Sequence, residues 1–140
     1  MKKISSLVLA LCLFVTMTCV AQAGPAPDLT QMGVYQVRST DAGIEDVYQK
    51  FSTQLNHGGD ALYVLTYEIG YSSPYSRIAK MNGARLNEID SQSIDLNNDN
   101  IVDGWFRLWD ASGHQSGQFT YEASSINNPG HSMSTWINIK

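Results

Sequence analysis

Residues 61–71 read Ala61-Leu62-Tyr63-Val64-Leu65-Thr66-Tyr67-Glu68-Ile69-Gly70-Tyr71. Ala61, Tyr63, Leu65, Tyr67, Ile69 and Tyr71 recur at every second position, the period of a β-strand. Leu62 and Val64 make the first half apolar on the opposite face as well, as expected of a central strand. Ser72-Ser73-Pro74 breaks the run. Glu68 stands alone near the end of this strand and reads as a rim carboxylate.

Downstream, Asn82-Gly83 is the pair favoured by a type I′ hairpin turn. A two-residue loop there sets Met81 opposite Ala84 and Ala79 opposite Leu86 on an apolar face, with Lys80 opposite Arg85 on the other. Opposed like charges destabilise a strand pair mildly and protect an exposed edge. Residues 105–110, 118–123 and 133–139 alternate as further strands, separated by turn-rich segments at 111–117 and Asn127-Asn128-Pro129-Gly130. Upstream, Val34-Tyr35-Gln36-Val37 is a first strand. From Asp41 the period changes: Ile44, Val47, Tyr48, Phe51 and Leu55 fall on one face at helical spacing, which predicts a helix over 41–56. The fold class is mainly β, an antiparallel sandwich or sheet of six to seven strands with that one helix.

Residues 95–104, Asp95-Leu96-Asn97-Asn98-Asp99-Asn100-Ile101-Val102-Asp103-Gly104, carry the most specific chemical signal. Side-chain oxygens fall at loop positions 1, 3, 5 and 9, and an asparagine, which enters the left-handed region readily, sits at position 6. Asp95, Asn97, Asp99 and Asp103, with the Ile101 carbonyl, form a ligand set for Ca2+. Phe106 stands where an EF-hand has its bidentate glutamate, so Asp103 serves directly, as in shorter Asp-x-Asp-x-Asp-Gly-x-x-Asp loops. A plain polar turn is the competing reading.

The chain has 140 residues, 9 basic and 13 acidic. Lys2-Lys3, the apolar run Ile4–Val20 and Ala21-Gln22-Ala23 mark residues 1–23 as a secretory signal peptide. Residues 24–140 then form a single domain, with no later segment long enough to span a membrane. Cys12 and Cys19 both lie in the leader, so the mature chain is expected to hold no disulfide. Removing Lys2 and Lys3 leaves 7 basic residues and a net charge of −6. Such a surface disfavours nucleic acid and anionic membranes. The expected location is extracellular, or periplasmic in a Gram-negative cell.

Strand alternation assigns a second feature. Trp105, Arg107 and Trp109 share one face of 105–110, Gln118, Thr120 and Glu122 one face of 118–122, and Trp136 and Asn138 one face of the last strand. If these strands are neighbours, the three tryptophans form one ligand-binding sheet face with Arg107. Trp105 and Trp109 then stand about 13 Å apart at ~3.3 Å per residue. Aromatic rings among hydrogen-bonding groups suit an extracellular polysaccharide or a cell-surface protein. Burial of the rings in the core is the competing arrangement, and the one more common for large apolar faces.

No catalytic residue is assigned. His57, His114 and His131 sit in turn-like segments without metal-ligand spacing. Gly113-His114-Gln115-Ser116-Gly117 has its serine one place late for a nucleophile elbow. Asp110, His114 and Ser116 are more simply solvated turn residues.

Several stretches carry a family likeness: Leu62–Tyr71, Ala79-Lys80-Met81-Asn82-Gly83, Ile101-Val102-Asp103-Gly104, Trp109-Asp110-Ala111-Ser112-Gly113 and Met133–Lys140. From His57-Gly58-Gly59-Asp60 onward the chain resembles the YolA-like proteins, small secreted bacterial proteins of unknown function. The resemblance implies a bacterial extracellular protein and no particular activity. The expected function is a secreted calcium-binding module for an extracellular glycan or cell-surface partner. A small secreted hydrolase or toxin-type effector, with purely structural calcium, is the alternative.

Overall fold

The computed structural model describes residues 24–140. The expected leader lies outside the described residues. Among these residues nine strands build two antiparallel sheets. They are β1 (Gln31–Ser39), β2 (Gly43–Asp46), β3 (Leu62–Ile69), β4 (Ile78–Met81), β5 (Ala84–Arg85), β6 (Asn87–Ile94), β7 (Gly104–Asp110), β8 (Gly117–Ser124) and β9 (Ser132–Ile139). One sheet has the order β2-β1-β3-β7-β6 and the other β5-β4-β8-β9. The protein is therefore mainly β, a two-sheet sandwich. Among the described residues no helix is long and apolar enough to cross a membrane.

The central position of β3 follows from its two-sided pattern. It pairs with β1 on one side and β7 on the other. Its even-numbered residues Leu62, Val64, Thr66 and Glu68 are buried, and its odd-numbered residues are half-buried. The core lies between the sheets and takes Val34, Val37, Leu62, Val64 and Trp109 from the larger one. The smaller sheet supplies Ala79, Met81, Phe119, Tyr121, Ala123, Ile137 and Ile139. The Trp109 and Tyr121 rings meet across the interface, centroids 5.0 Å apart.

The Asn82-Gly83 hairpin forms as expected. Both residues have positive φ, 51° and 83°, and Lys80 faces Arg85 while Met81 faces Ala84. The Asn82 side chain also accepts from the Gln118 amide and donates to the Ser116 carbonyl, at 3.0 and 2.9 Å, tying the turn to the start of β8.

The helix expected over 41–56 is not formed. Gly43 and Gln49 take left-handed φ angles of 72° and 60°, which a right-handed helix excludes. Residues 43–46 pair with β1 instead. Of the five residues at helical spacing only Val47 enters the core, while Ile44, Tyr48, Phe51 and Leu55 are exposed. Two strands went unforeseen, β2 and β6. Most of β6 is exposed, and its sequence Asn-Glu-Ile-Asp-Ser-Gln-Ser-Ile shows no alternation. Backbone pairing to β7 holds it in place.

Candidate functional site

Strand alternation puts Trp105, Arg107 and Trp109 of β7 on one face, either open beside Trp136 or covered as part of the core. The structure separates this face from Trp136. Register pairs Trp109 with Val64, Arg107 with Thr66 and Trp105 with Glu68, so this face of β7 lies on the inner side of its sheet. Trp109 and Arg107 are each only 3% exposed, and Trp105 is half-buried. Trp136 belongs to the other sheet and is 41% exposed. The four therefore do not form one surface. Gln118, Thr120 and Glu122 do share the side of Trp136, because β8 and β9 pair directly.

Arg107 tolerates burial because a charge network surrounds it. Its Nε and Nη2 donate to Glu68 Oε1 at 2.8 and 2.6 Å, and its Nη1 donates to Glu88 Oε1 at 2.9 Å. Glu68 is fully buried and also accepts from the Ser72 and Tyr121 hydroxyls, at 2.7 and 2.8 Å. Glu68 is thus no rim residue: its carboxylate joins the two sheets. Burial works against the charged guanidinium, but the hydrogen bonds and charges of Glu68, with Glu88, hold the Arg107 pKa above its ordinary value. Burial, reinforced by Glu68, pushes the Tyr121 hydroxyl up. Burial, with Arg107 nearby, lowers Arg77, whose Nε donates to Ser72 Oγ at 2.7 Å. Among the described residues no buried side-chain nitrogen or oxygen lacks a partner.

With one face of β7 turned inward, the opposite face becomes the surface. Phe106 pairs with Tyr67 and Leu108 with Leu65 on the outer side of the five-stranded sheet. A bulge in β1 sets both Tyr35 and Gln36 opposite Leu65, the local device that re-aims a side chain. Tyr35 packs on Phe106 with centroids 5.1 Å apart, Tyr48 on Tyr67 at 5.5 Å, and Tyr35 on Tyr48 at 6.2 Å. Burial, with the neighbouring Tyr48, raises the Tyr67 hydroxyl.

The groove so formed has two lobes that share Tyr35 and Phe106. The first, about 360 Å³, is polar-rimmed by Gln36, Arg38, Asp90 and Gln92. The second, about 220 Å³, is apolar, with Tyr48, Tyr67 and Leu96 in its lining. Strand alternation places Leu65, Tyr67 and Ile69 of this lining on one face of residues 61–71, while the helical spacing of 41–56 misplaced Tyr48. The outward pairing of Phe106 and Leu108 was the signal that a face count across both strands provides.

The 95–104 loop borders the apolar lobe through Leu96. Asn98 and Asn100 have positive φ, 58° and 65°. Asp95 accepts from the amides of Asn97, Asp99 and Asn100, Asn97 from Asp99, and Asp99 from Ile101. Asp103 closes the loop by accepting from the Leu96 amide at 2.7 Å. Gly104 follows because a Cβ there would stand 2.1 Å from the Glu68 carbonyl oxygen. Hard oxygen donors fit a calcium ion in type. Among the described residues one oxygen each of Asp99 and Asp103 forms no hydrogen bond, and no hydrogen bond reaches the Ile101 carbonyl. No three acidic, histidine or cysteine side chains among the described residues are drawn together as a metal cluster. The carboxylates are engaged chiefly with the loop's own amides.

The three histidines lie apart. His131 Nε2 meets the Leu29 carbonyl at 3.0 Å, and His114 is held in its turn by the Ala111 carbonyl. His57 is buried, not a solvated turn residue: its Nδ1 lies 2.9 Å from Ser39 Oγ and its Nε2 3.1 Å from Glu45 Oε2. Glu45 also accepts from the Gln54 and Leu55 amides at 2.7 and 3.0 Å. Burial opposes its charge, but these two amides and His57 together hold its pKa below the ordinary value near 4.5.

Fold and surface together define a two-sheet antiparallel β-domain with an open aromatic groove on its larger sheet. The chain belongs to the family described as "Domain of unknown function (DUF4879)", which matches residues 24–139. No curated protein and no solved structure matches it.

Proposed function

We propose that the protein is a secreted binding module that holds an extracellular glycan chain in the groove of the five-stranded sheet, with calcium bound at 95–104. The observation that carries this reading is the cluster of half-buried Tyr35, Tyr67 and Phe106 with exposed Tyr48, beside the polar rim of Gln36, Arg38, Asp90 and Gln92. Rings offer stacking surfaces to sugar faces, and the polar rim offers donors and acceptors to hydroxyls. The YolA-like likeness supports placing the protein outside the cell. Asp95, Asn97, Asp99, Asp103 and the Ile101 carbonyl would hold the ion, with an affinity of about 10⁻⁴–10⁻³ M as in extracellular modules. Its role is to fix Leu96 against the apolar lobe.

Glycan-array binding that disappears on Tyr67→Ala and Tyr35→Ala, with an unchanged fold, is the expected result. Binding indifferent to both changes refutes the groove. Calcium at millimolar concentration raises Tm, and Asp95→Asn with Asp103→Asn removes that rise; no calcium-dependent shift refutes the metal.

The Ser39–His57–Glu45 chain favours a second reading, the small secreted hydrolase. Serine, imidazole and carboxylate stand in hydrogen-bonded order, as nucleophilic catalysis requires. Against it, His57 is only 4% exposed, and Ser39 Oγ also accepts from the Ala42 amide at 3.1 Å. The same contacts tie residues 43–57 to the body of the fold. An esterase or amidase activity abolished by Ser39→Ala at unchanged Tm would decide for the enzyme.

A further inference from the structure

A row of side chains crosses the outer face of the four-stranded sheet. Arg85 faces Lys80, Lys80 faces Thr120, and Thr120 faces Trp136. The row spans β5, β4, β8 and β9, roughly 14 Å at ~4.8 Å per strand. Phe51 extends it beyond β9, its ring tilted 32° on Trp136 with centroids 5.1 Å apart. A groove of about 300 Å³ runs along the middle of the row, past Lys80, Thr120 and Trp136, and is also lined by Gln118, Glu122 and Ser134.

The cations of the row lack acidic partners within the described residues, and Arg85 Nη2 reaches only the Arg77 carbonyl, at 3.5 Å. Lys80 and Arg85 stand opposite one another. Acidic residues nevertheless outnumber basic ones in the chain, 13 to 9. Opposed like charges destabilise the strand pair. At the other end Trp136 and Phe51 are 41% and 63% exposed, although the fold buries Trp109 almost completely. Protection of a sheet edge accounts for the charges alone. It does not account for a stacked aromatic pair in the same row.

We infer that this face binds a carboxylated polysaccharide, a chain of uronic-acid type. Carboxylates of the chain pair with Lys80 and Arg85, and a sugar ring lies on Trp136, held in place by Phe51. Thr120, Gln118 and Ser134 face the chain's hydroxyls. Glu122 lies one row away, opposite Ile78 and Ser134, and repels a carboxylate from that side. Charge is therefore read at the Lys80 end and ring shape at the Trp136 end. The site is on the other sheet from the tyrosine groove and does not depend on it.

Calorimetric titration of the purified protein with polygalacturonate at low salt tests the inference, with dextran as the neutral control. Saturable binding of polygalacturonate and none of dextran is expected. Lys80→Gln with Arg85→Gln weakens binding at least tenfold, Lys80→Arg retains it, and Trp136→Ala weakens it at least tenfold, all at near-native Tm. Tyr67→Ala, on the opposite face, leaves it unchanged, so the two sites fail separately. Absence of binding overturns the proposal. So does binding that survives loss of both cations, or that Tyr67→Ala removes instead. Self-association of the Lys80→Gln/Arg85→Gln variant with unaltered polygalacturonate binding would reduce the cations to edge protection.

Discussion

On its inner side the five-stranded sheet carries Glu68, Arg107 and Trp109; on its outer side it carries Tyr35, Tyr67 and Phe106. By residue type alone the assignment looks reversed, with charge inside and rings outside. The inner side works because each polar group has a partner at short range. Arg107 and Glu68 satisfy one another, and Trp109 Nε1 donates to Thr66 Oγ1 at 2.9 Å. On the outer side the rings pack on one another and on the sheet beneath them, and stay partly open. Hydrophobicity selects which residues associate, but partner geometry decides which side closes.

The largest effect that breaks this contrast is removal of Glu68. Deleting one member of a buried ion pair leaves an uncompensated charge and costs about 3–5 kcal/mol. Glu68→Ala therefore lowers the urea midpoint strongly, and so does Arg107→Ala. The two together cost much less than the sum of the singles, since each removes the same interaction. Additive losses in a double-mutant cycle would show that the two side chains act independently.

The tryptophans give the same contrast within one residue type. Trp109→Ala costs about 3–5 kcal/mol, the range for a buried large ring. Trp136→Ala, at a half-open surface position, stays within about 1 kcal/mol. Equal destabilisation, read by chemical denaturation, would erase the distinction between a core ring and a surface ring.

How legible this was depended on which residues recorded their partners locally. The strand at 61–71 and the Asn82-Gly83 turn were legible because period and turn chemistry are short-range. The Asp95–Gly104 loop was legible as a set of oxygen donors, and its positive-φ asparagines follow from residue type. Burial of the tryptophan face of β7 was the commoner of two readings, but the separation of Trp136 from it was not legible. Trp-Phe-Arg-Leu-Trp is amphipathic in both directions, and only Glu68 and Tyr121, 39 and 14 residues away in sequence, make a buried Arg107 acceptable. The segment 43–55 misled for a related reason. Its apolar residues have helical spacing, yet each serves a different place: Val47 the core, Tyr48 the large-sheet groove, Phe51 the Trp136 ring.

A smaller effect sharpens the outer side. Gly33 lies under the Tyr67 ring, and a Cβ there would stand 2.5 Å from its Cε1. Gly33→Ala displaces the ring rather than the backbone, at about 1–3 kcal/mol for overpacking. Ligand binding in the groove falls by more than the stability loss implies, because Tyr67 no longer lies flat against the sheet. Unchanged binding by the alanine variant would mean that the position of the Tyr67 ring is irrelevant to the surface.

The smallest effect concerns the segment that supplies both outer faces. Tyr48 and Phe51 lie between β2 and His57, and Glu45 ties that segment down through the Gln54 and Leu55 amides and His57. The folded-state pKa of Glu45 lies below its ordinary value. Its contribution is therefore complete above that value, near 4.5, and declines as pH falls through the depressed folded value. Glu45→Gln lowers stability by about 1 kcal/mol at neutral pH, and the gap to wild type narrows as pH drops below the ordinary glutamate range. Hydrogen exchange should locate the loosening at residues 47–57, with β3 and β7 still protected, because the inner network does not include Glu45. Uniform loss of protection across both sheets at acid pH would mean that the segment and the sandwich interior open as one unit, and the two sides of the sheet would then share one stability.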